Sequence, residues 1–147
     1  MSMTTQLTVP RLYRGRLIRW IDGDTFDADI CFTEAEVDLG FYITAVTSEV
    51  KSRIRFRLYG YEAPEDSGSE REMGLLATNA SRGFCPEGTE ITISSYKGDK
   101  YGRWLADVMV PGGLNLVKLL LSGGWGIPWD GKGARPTFSS DNYPIKS

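Results

Sequence analysis

Histidine is missing from this 147-residue sequence. With it go imidazole acid–base chemistry and His-metal sites. Cysteine is scarce: Cys31 and Cys85 are the only two, far apart and without a C-x-x-C spacing. They could pair, but inside a cell both are expected to be reduced packing thiols. No apolar run reaches membrane-spanning length, and Met1 to Arg16 carry no hydrophobic stretch of the kind a secretory signal needs. A cytoplasmic chain with no membrane partner is the expectation. A surplus of positive charge is absent too. Lys and Arg number 17 against 19 Asp and Glu, a net charge of −2, and the pI is near 5.2. That argues against gripping nucleic acid by bulk electrostatics, because non-specific affinity comes from neutralising phosphates. It leaves room for an enzyme with a locally positive site, since Arg11, Arg14, Arg16 and Arg19 cluster and Arg53, Arg55 and Arg57 alternate.

What is present reads as one domain over 1–147, ending in an extended tail over 131–147. Arg11 to Ile21 reads as a strand and Asp22-Gly23 as a hairpin turn. Asp24 to Phe32 alternates, with Phe26, Ala28 and Ile30 on one face. Thr33 to Ser48 fits a strand extension with an inserted loop, with β character at Phe41-Tyr42-Ile43. Lys51 to Gly60 is a half-buried strand: Ile54, Phe56 and Leu58 face inward, Arg53, Arg55, Arg57 and Tyr59 outward. A helix is predicted over Ser69 to Phe84, with a Ser69/Glu72 capping box and an apolar stripe of Met73, Ala77, Ala80 and Phe84. Thr89 to Tyr96 and Trp104 to Val110 are two further strands, joined by a turn over Gly98 to Gly102. Leu114 to Leu121 is a short second helix. Five strands with a helix between the third and fourth, plus a C-terminal helix, is the order of an OB-fold barrel of the α+β class.

Charge gathers beside three turns: Asp22 to Thr25, Arg57 to Glu65, and Asp99 to Arg103. Asp24 has the parity of the apolar face, so its carboxylate must be paired, protonated or metal-bound. Glu62 and Glu65 follow a strand end, three residues apart across Pro64. Converging carboxylates repel one another unless a cation neutralises them, and oxygen ligands suit Ca²⁺ or Mg²⁺ rather than zinc. Taken singly, each acid reads first as a turn residue or a solvated side chain. Arg57 and Arg103 each lie close to an acidic segment, where guanidinium groups could stabilise charge on a phosphorus undergoing substitution. Surface ion pairs are the other reading, and the one adopted for Arg53 and Arg55.

Together the three segments resemble the staphylococcal nuclease (thermonuclease) family. I-D-G-D-T, F-R-L-x-G-x-x-A-P-E and D-K-Y-G-R-x-L-A occur in the family's order, and the likeness runs from about Leu12 to Trp125. Val37 to Phe41 and Pro128 to Gly131 resemble the short bacterial and phage members. The resemblance implies a metal site of Asp24, Glu62 and the backbone carbonyl of Ala63. It implies Glu65 as general base, and Arg57 and Arg103 as the arginines that hold the scissile phosphate. It further implies a Ca²⁺-dependent enzyme, with Mg²⁺ or Mn²⁺ as other fits. Its substrate would be DNA and/or RNA, cut with little sequence preference to leave 3′-phosphates. A monomer is expected. Lys100, Tyr101 and Trp125 are candidate substrate contacts; base stacking on such a ring is worth about 1–3 kcal/mol. Trp125 and Trp129 read first as pins that hold the tail to the barrel.

The chain departs from the family in three ways. Glu62 stands where most members carry aspartate, which moves the carboxylate by about 1.5 Å; a misplacement of about 1 Å can cost about 10²-fold in rate. The last helix of the best-known members is replaced by the Gly/Pro/aromatic tail. The pI is acidic where secreted members are basic. The rival reading is a degenerate OB module that binds nucleic acid or protein without cutting.

Overall fold

The computed structural model describes residues 11–34, 47–95 and 104–146. In chain order the elements are β1 (Arg11–Trp20), β2 (Thr25–Glu34), β3 (Thr47–Leu58), β4 (Tyr61–Glu62), α1 (Arg71–Phe84), β5 (Glu90–Ser95), β6 (Trp104–Val110), β7 (Leu114–Asn115), α2 (Leu116–Ser122) and β8 (Ile127–Pro128). β1, β2 and β3 form an antiparallel meander; β1 pairs on its other side with β5, and β5 with β6. Parallel pairing of β3 with β6 closes the circuit. A five-stranded barrel with α1 between its third and fourth long strands is the OB fold, as the sequence order predicts.

Alternation decides which side chains fill the barrel. Phe26, Ala28 and Ile30 are buried, as are Leu17, Phe56, Leu58, Ile93 and Val108 from the other strands. Phe26 stacks on Phe56 at 5.5 Å between centroids and meets Trp20 at 5.3 Å. Leu116 and Leu120 of α2 are buried in the same core. Trp20 Nε1 donates to the Cys85 carbonyl at 2.9 Å, tying the end of β1 to the end of α1. Cys85 is free and buried, and burial pushes its thiol up to about 11, which fits a packing residue. The side chain of Cys31 lies outside the described set, as do the stretch 35–46 and the turn over 98–102.

Several local expectations change. α1 begins at Arg71, after a 3-10 turn over Gly68–Glu70, and its N-cap is Glu70 with no side-chain capping bond. The Ser69/Glu72 box is therefore not formed, because Glu70 turns its carboxylate inward to other partners. The buried face of α1 is Met73, Gly74, Ala77, Thr78 and Ser81. Phe84 lies outside the stripe, 40% exposed. Small residues let the helix approach the barrel end closely: a Cβ on Gly23 would stand 2.9 Å from that of Ala77. The second helix starts at Leu116, with Asn115 accepting the Lys118 N–H at 3.0 Å, because Leu114 and Asn115 pair with β6.

The predicted cationic outer face of β3 is interrupted. Arg53 has φ +60° where the β2–β3 register shifts, and its N–H goes to the Asp29 side chain at 3.1 Å. Arg55 is an ion-pair residue, 2.8 Å from Asp27. Arg57 is buried, because the C-terminal segment covers that end of the strand: Trp129 lies over its guanidinium at 5.2 Å. The segment itself is extended and docked. Tyr143 donates its hydroxyl to the Trp125 carbonyl at 2.8 Å, and the Ile145 N–H reaches Gly124 O at 2.8 Å.

Candidate active site

The β1–β2 turn supplies the first carboxylate. Ile21 N–H bonds Thr25 O at 2.8 Å, and the Asp22 side chain accepts the Asp24 N–H at 3.1 Å, the local bonding expected of an Asp-Gly-Asp turn. Asp24 is buried, as its parity with Phe26 requires. Its Oδ1 accepts the Thr25 hydroxyl at 3.0 Å and its Oδ2 the Ala63 N–H at 3.0 Å. One carboxylate thus fastens the turn to the segment after β4. Asp22 is pushed up to about 8, first by burial and then by the negative charge of Asp24.

β4 and the residues after it supply the second group. Its antiparallel pairing with β8 holds Tyr61 and Glu62 against Pro128 and Ile127. Glu62 is buried, with Arg57 Nη2 donating to its Oε1. Burial and the charge of Asp24 push its pKa up, while Arg57 and Arg135 oppose that shift. Arg57 Nη2 also reaches Tyr61 O at 3.3 Å. Glu65 stands further out, its side chain 59% exposed.

The third group came from a stretch with no periodic signal. Arg135 crosses from the C-terminal segment and donates through Nε to Glu62 Oε2. Its Nη2 donates to the Ala63 carbonyl at 3.0 Å and to Glu70 Oε1 at 3.0 Å, and its Nη1 to Glu70 Oε2 at 3.3 Å. Glu65 Oε1 lies 3.6 Å from its Nε. Glu70 in turn accepts the N–H groups of Glu65 (3.0 Å) and Phe138 (3.2 Å). Burial raises the Glu70 pKa, but the bonds from Arg135 and from those two backbone groups outweigh it and the pKa falls. Burial likewise disfavours the charge on Arg135, yet its bonds to Glu70 and Glu62 raise its pKa overall.

A cavity of about 390 Å³ opens among these groups, lined by Asp22, Asp24, Arg57, Glu62, Ala63 and Glu65 on one side and Trp129, Asp130 and Arg135 on the other. Five of the sequence candidates, Asp24, Arg57, Glu62, Ala63 and Glu65, therefore share one cavity. Arg103, Lys100 and Tyr101 fall outside the described residues. Trp125 stands against Tyr143, with ring centroids 6.0 Å apart, and the aromatic at the cavity wall is Trp129. Asp22 was legible as half of the Asp-Gly-Asp turn. Glu70 was hidden in the expected helix start, and Arg135 had no signal beyond its charge.

The donors have the chemistry of a hard divalent-cation site: carboxylate oxygens and a carbonyl, with no nitrogen or sulfur. Asp22, pushed up first by burial and then by the charge of Asp24, lies beside Asp24 in the wall of the same cavity. Among the described residues, however, no three acidic side chains stand grouped as a metal-binding cluster. Both Glu62 oxygens are taken by arginines, and the Ala63 carbonyl is taken by Arg135. The residues fit a divalent cation in kind, with Arg135 holding two of the donors.

No helix among the described residues is long and apolar enough to cross a membrane. No family model matches the chain. Two curated proteins are similar to it, each named "Uncharacterized endonuclease", one from Escherichia coli O157:H7 and one from Escherichia coli. Each is 24% identical over 110 residues, which cover 75% of this chain and 57% of the relative. The chain thus spans little more than half the length of these relatives, and what it is demonstrably similar to is a pair of proteins named as endonucleases.

Proposed function

We propose that this chain is a metal-dependent nuclease of the staphylococcal-nuclease type, hydrolysing phosphodiester bonds of DNA and/or RNA with little sequence preference and leaving 3′-phosphates. The observation that carries the reading is the convergence of Asp24, Arg57, Glu62, the Ala63 carbonyl and Glu65 on one cavity at the end of an OB barrel. The endonuclease name of the two relatives supports the reaction class.

Asp24, Glu62 and the Ala63 carbonyl would hold the cation, Ca²⁺ by the family resemblance and Mg²⁺ or Mn²⁺ by donor type. When bound, the cation would supply a Lewis acid for the phosphoryl oxygens and the attacking water. The protein's own groups divide the remaining work. Glu65, the most exposed of the acids, takes the proton of the attacking water, where its access to solvent lets the proton leave. Arg57, buried beside Glu62, presents its guanidinium at the cavity wall, where charge builds on the phosphorus in the transition state. Arg103 is the second arginine of this scheme. Asp24 also fastens the turn to Ala63, so the donors keep their spacing without substrate.

A second reading, a module that binds nucleic acid without cutting, is favoured by one observation: Arg57 and Arg135 between them engage both Glu62 oxygens. One experiment separates the two. Cleavage of single-stranded and duplex DNA and of RNA is measured with Ca²⁺, Mg²⁺, Mn²⁺ or EDTA. Metal-dependent cleavage, absent with EDTA, is the result expected of the nuclease. Binding of nucleic acid by the folded protein with no cleavage under any cation would establish the module instead.

A further inference from the structure

We infer that residues 131–138 act as a tethered occupant of the cation site, so that docking of Arg135 and binding of a divalent cation exclude each other. The inference rests on the cation site proposed above and adds to it the chain's own competitor. The Arg135 guanidinium holds two of the three proposed donors, Glu62 Oε2 and the Ala63 carbonyl. A divalent cation on those oxygens would stand within a few ångströms of a group that remains charged at every accessible pH. Like charges at that range repel strongly where water is largely excluded.

A second observation shows that the occupant is held by a partner of its own. Glu70, buried at the start of α1, grips both ends of the guanidinium and also takes the Phe138 N–H. The ring of Phe138 lies 5.9 Å from the guanidinium carbon. Glu70 is not a wall of the cavity, so its carboxylate gives Arg135 a seat separate from the proposed cation donors. Beyond it the chain is anchored again by Tyr143 on Trp125 and by Ile145 on Gly124. Residues 131–138 thus form a strap tied at both ends, Trp129 over Arg57 on one side and Tyr143 on the other. It can leave the cavity without the rest of the segment undocking. A cation entering the site displaces Arg135 from Glu62, Ala63 and Glu70 into solvent, and removal of the cation lets the guanidinium return.

The test uses the whole chain. Ca²⁺ and Mn²⁺ binding are measured by calorimetry on the wild type, Arg135→Gln, Glu70→Gln and Asp24→Asn. Tryptic cleavage after Lys132 is followed in the wild type and in Asp24→Asn with and without cation. Expected are at least tenfold tighter cation binding by Arg135→Gln, tighter binding by Glu70→Gln, and faster tryptic cutting of the wild-type strap when cation is added. Asp24→Asn should show no cation effect on that cutting. If Arg135→Gln fails to fold, Glu70→Gln and the wild-type proteolysis decide the matter. Should the wild type bind cation, Asp24→Asn abolish that binding, and loss of Arg135 or Glu70 leave the affinity unchanged, the competition is overturned while the cation site stands. Should neither the wild type nor Arg135→Gln bind a cation, the site and its competitor both fall.

Discussion

Ser81 in α1 donates its hydroxyl to the carbonyl of Gly23 at 2.7 Å, with both residues buried. The bond runs from the last turn of the helix to the centre of the Asp22–Thr25 turn, so the helix sets the height of Asp24 in the site. Ser81→Ala leaves the Gly23 carbonyl buried without its partner. The expected cost is about 1–3 kcal/mol of stability. Chemical denaturation reads the loss, and cleavage should fall as well although position 81 touches no candidate donor. Unchanged cleavage together with the stability loss would show that the turn holds its position without the helix.

Glu65→Gln tests the proposed base. The side chain is largely exposed, so stability should change by no more than about 0.5 kcal/mol. Cleavage should fall by orders of magnitude while cation binding through Asp24 and Glu62 persists. Near-normal turnover by the folded variant would remove Glu65 from the mechanism.

Gly74 lets α1 lie directly against the backbone of Glu65 and Asp66; a Cβ there would overlap the Glu65 carbonyl. Gly74→Ala removes a poor helix former from a helix interior, which alone would stabilise α1 by about 1 kcal/mol. The clash is with backbone, so overpacking should win, with a net loss of about 1–3 kcal/mol. Because the displaced backbone carries Glu65, kcat should drop further than the folded fraction does. A Tm equal to or above that of the wild type would refute the close approach.

Asp27 carries a pH prediction. Arg55 beside it is the main cause that holds its carboxyl below the ordinary range, against the opposing effect of burial and with help from Arg19. A lowered pKa in the folded state means stability that is present above the ordinary carboxylate range and is lost as pH falls through the lowered value. Asp27→Asn should therefore reduce Tm near neutral pH, and the gap to the wild type should close in acid. A gap that stays constant down to strongly acidic pH would show that the pair contributes nothing through charge.

How much of this was legible in the sequence can be traced residue by residue. Alternation in Phe26, Ala28 and Ile30 announced the barrel face and, by parity, the burial of Asp24. The capping box at Ser69 failed because a competing bond network, Glu70 with Glu65, Phe138 and Arg135, drew the helix start inward. Local spacing could not register partners dozens of residues away. Arg57 read as an outward residue, and on β3 alone it is one; burial came from Trp129, on a segment with no register to β3.

From the sequence alone came the order of the long strands and helices and, through the family resemblance, five of the residues that line the cavity. The order is a local property: a period of two in strands and near 3.6 in helices. Tertiary structure alone decided which arginines meet Glu62 and Glu65. Residues 131–146 carry no repeating pattern, so nothing local specifies where Arg135 goes. Its place follows from the reach of a chain pinned by Trp129 and Tyr143, and from the attraction of a guanidinium for the buried carboxylates of Glu62 and Glu70.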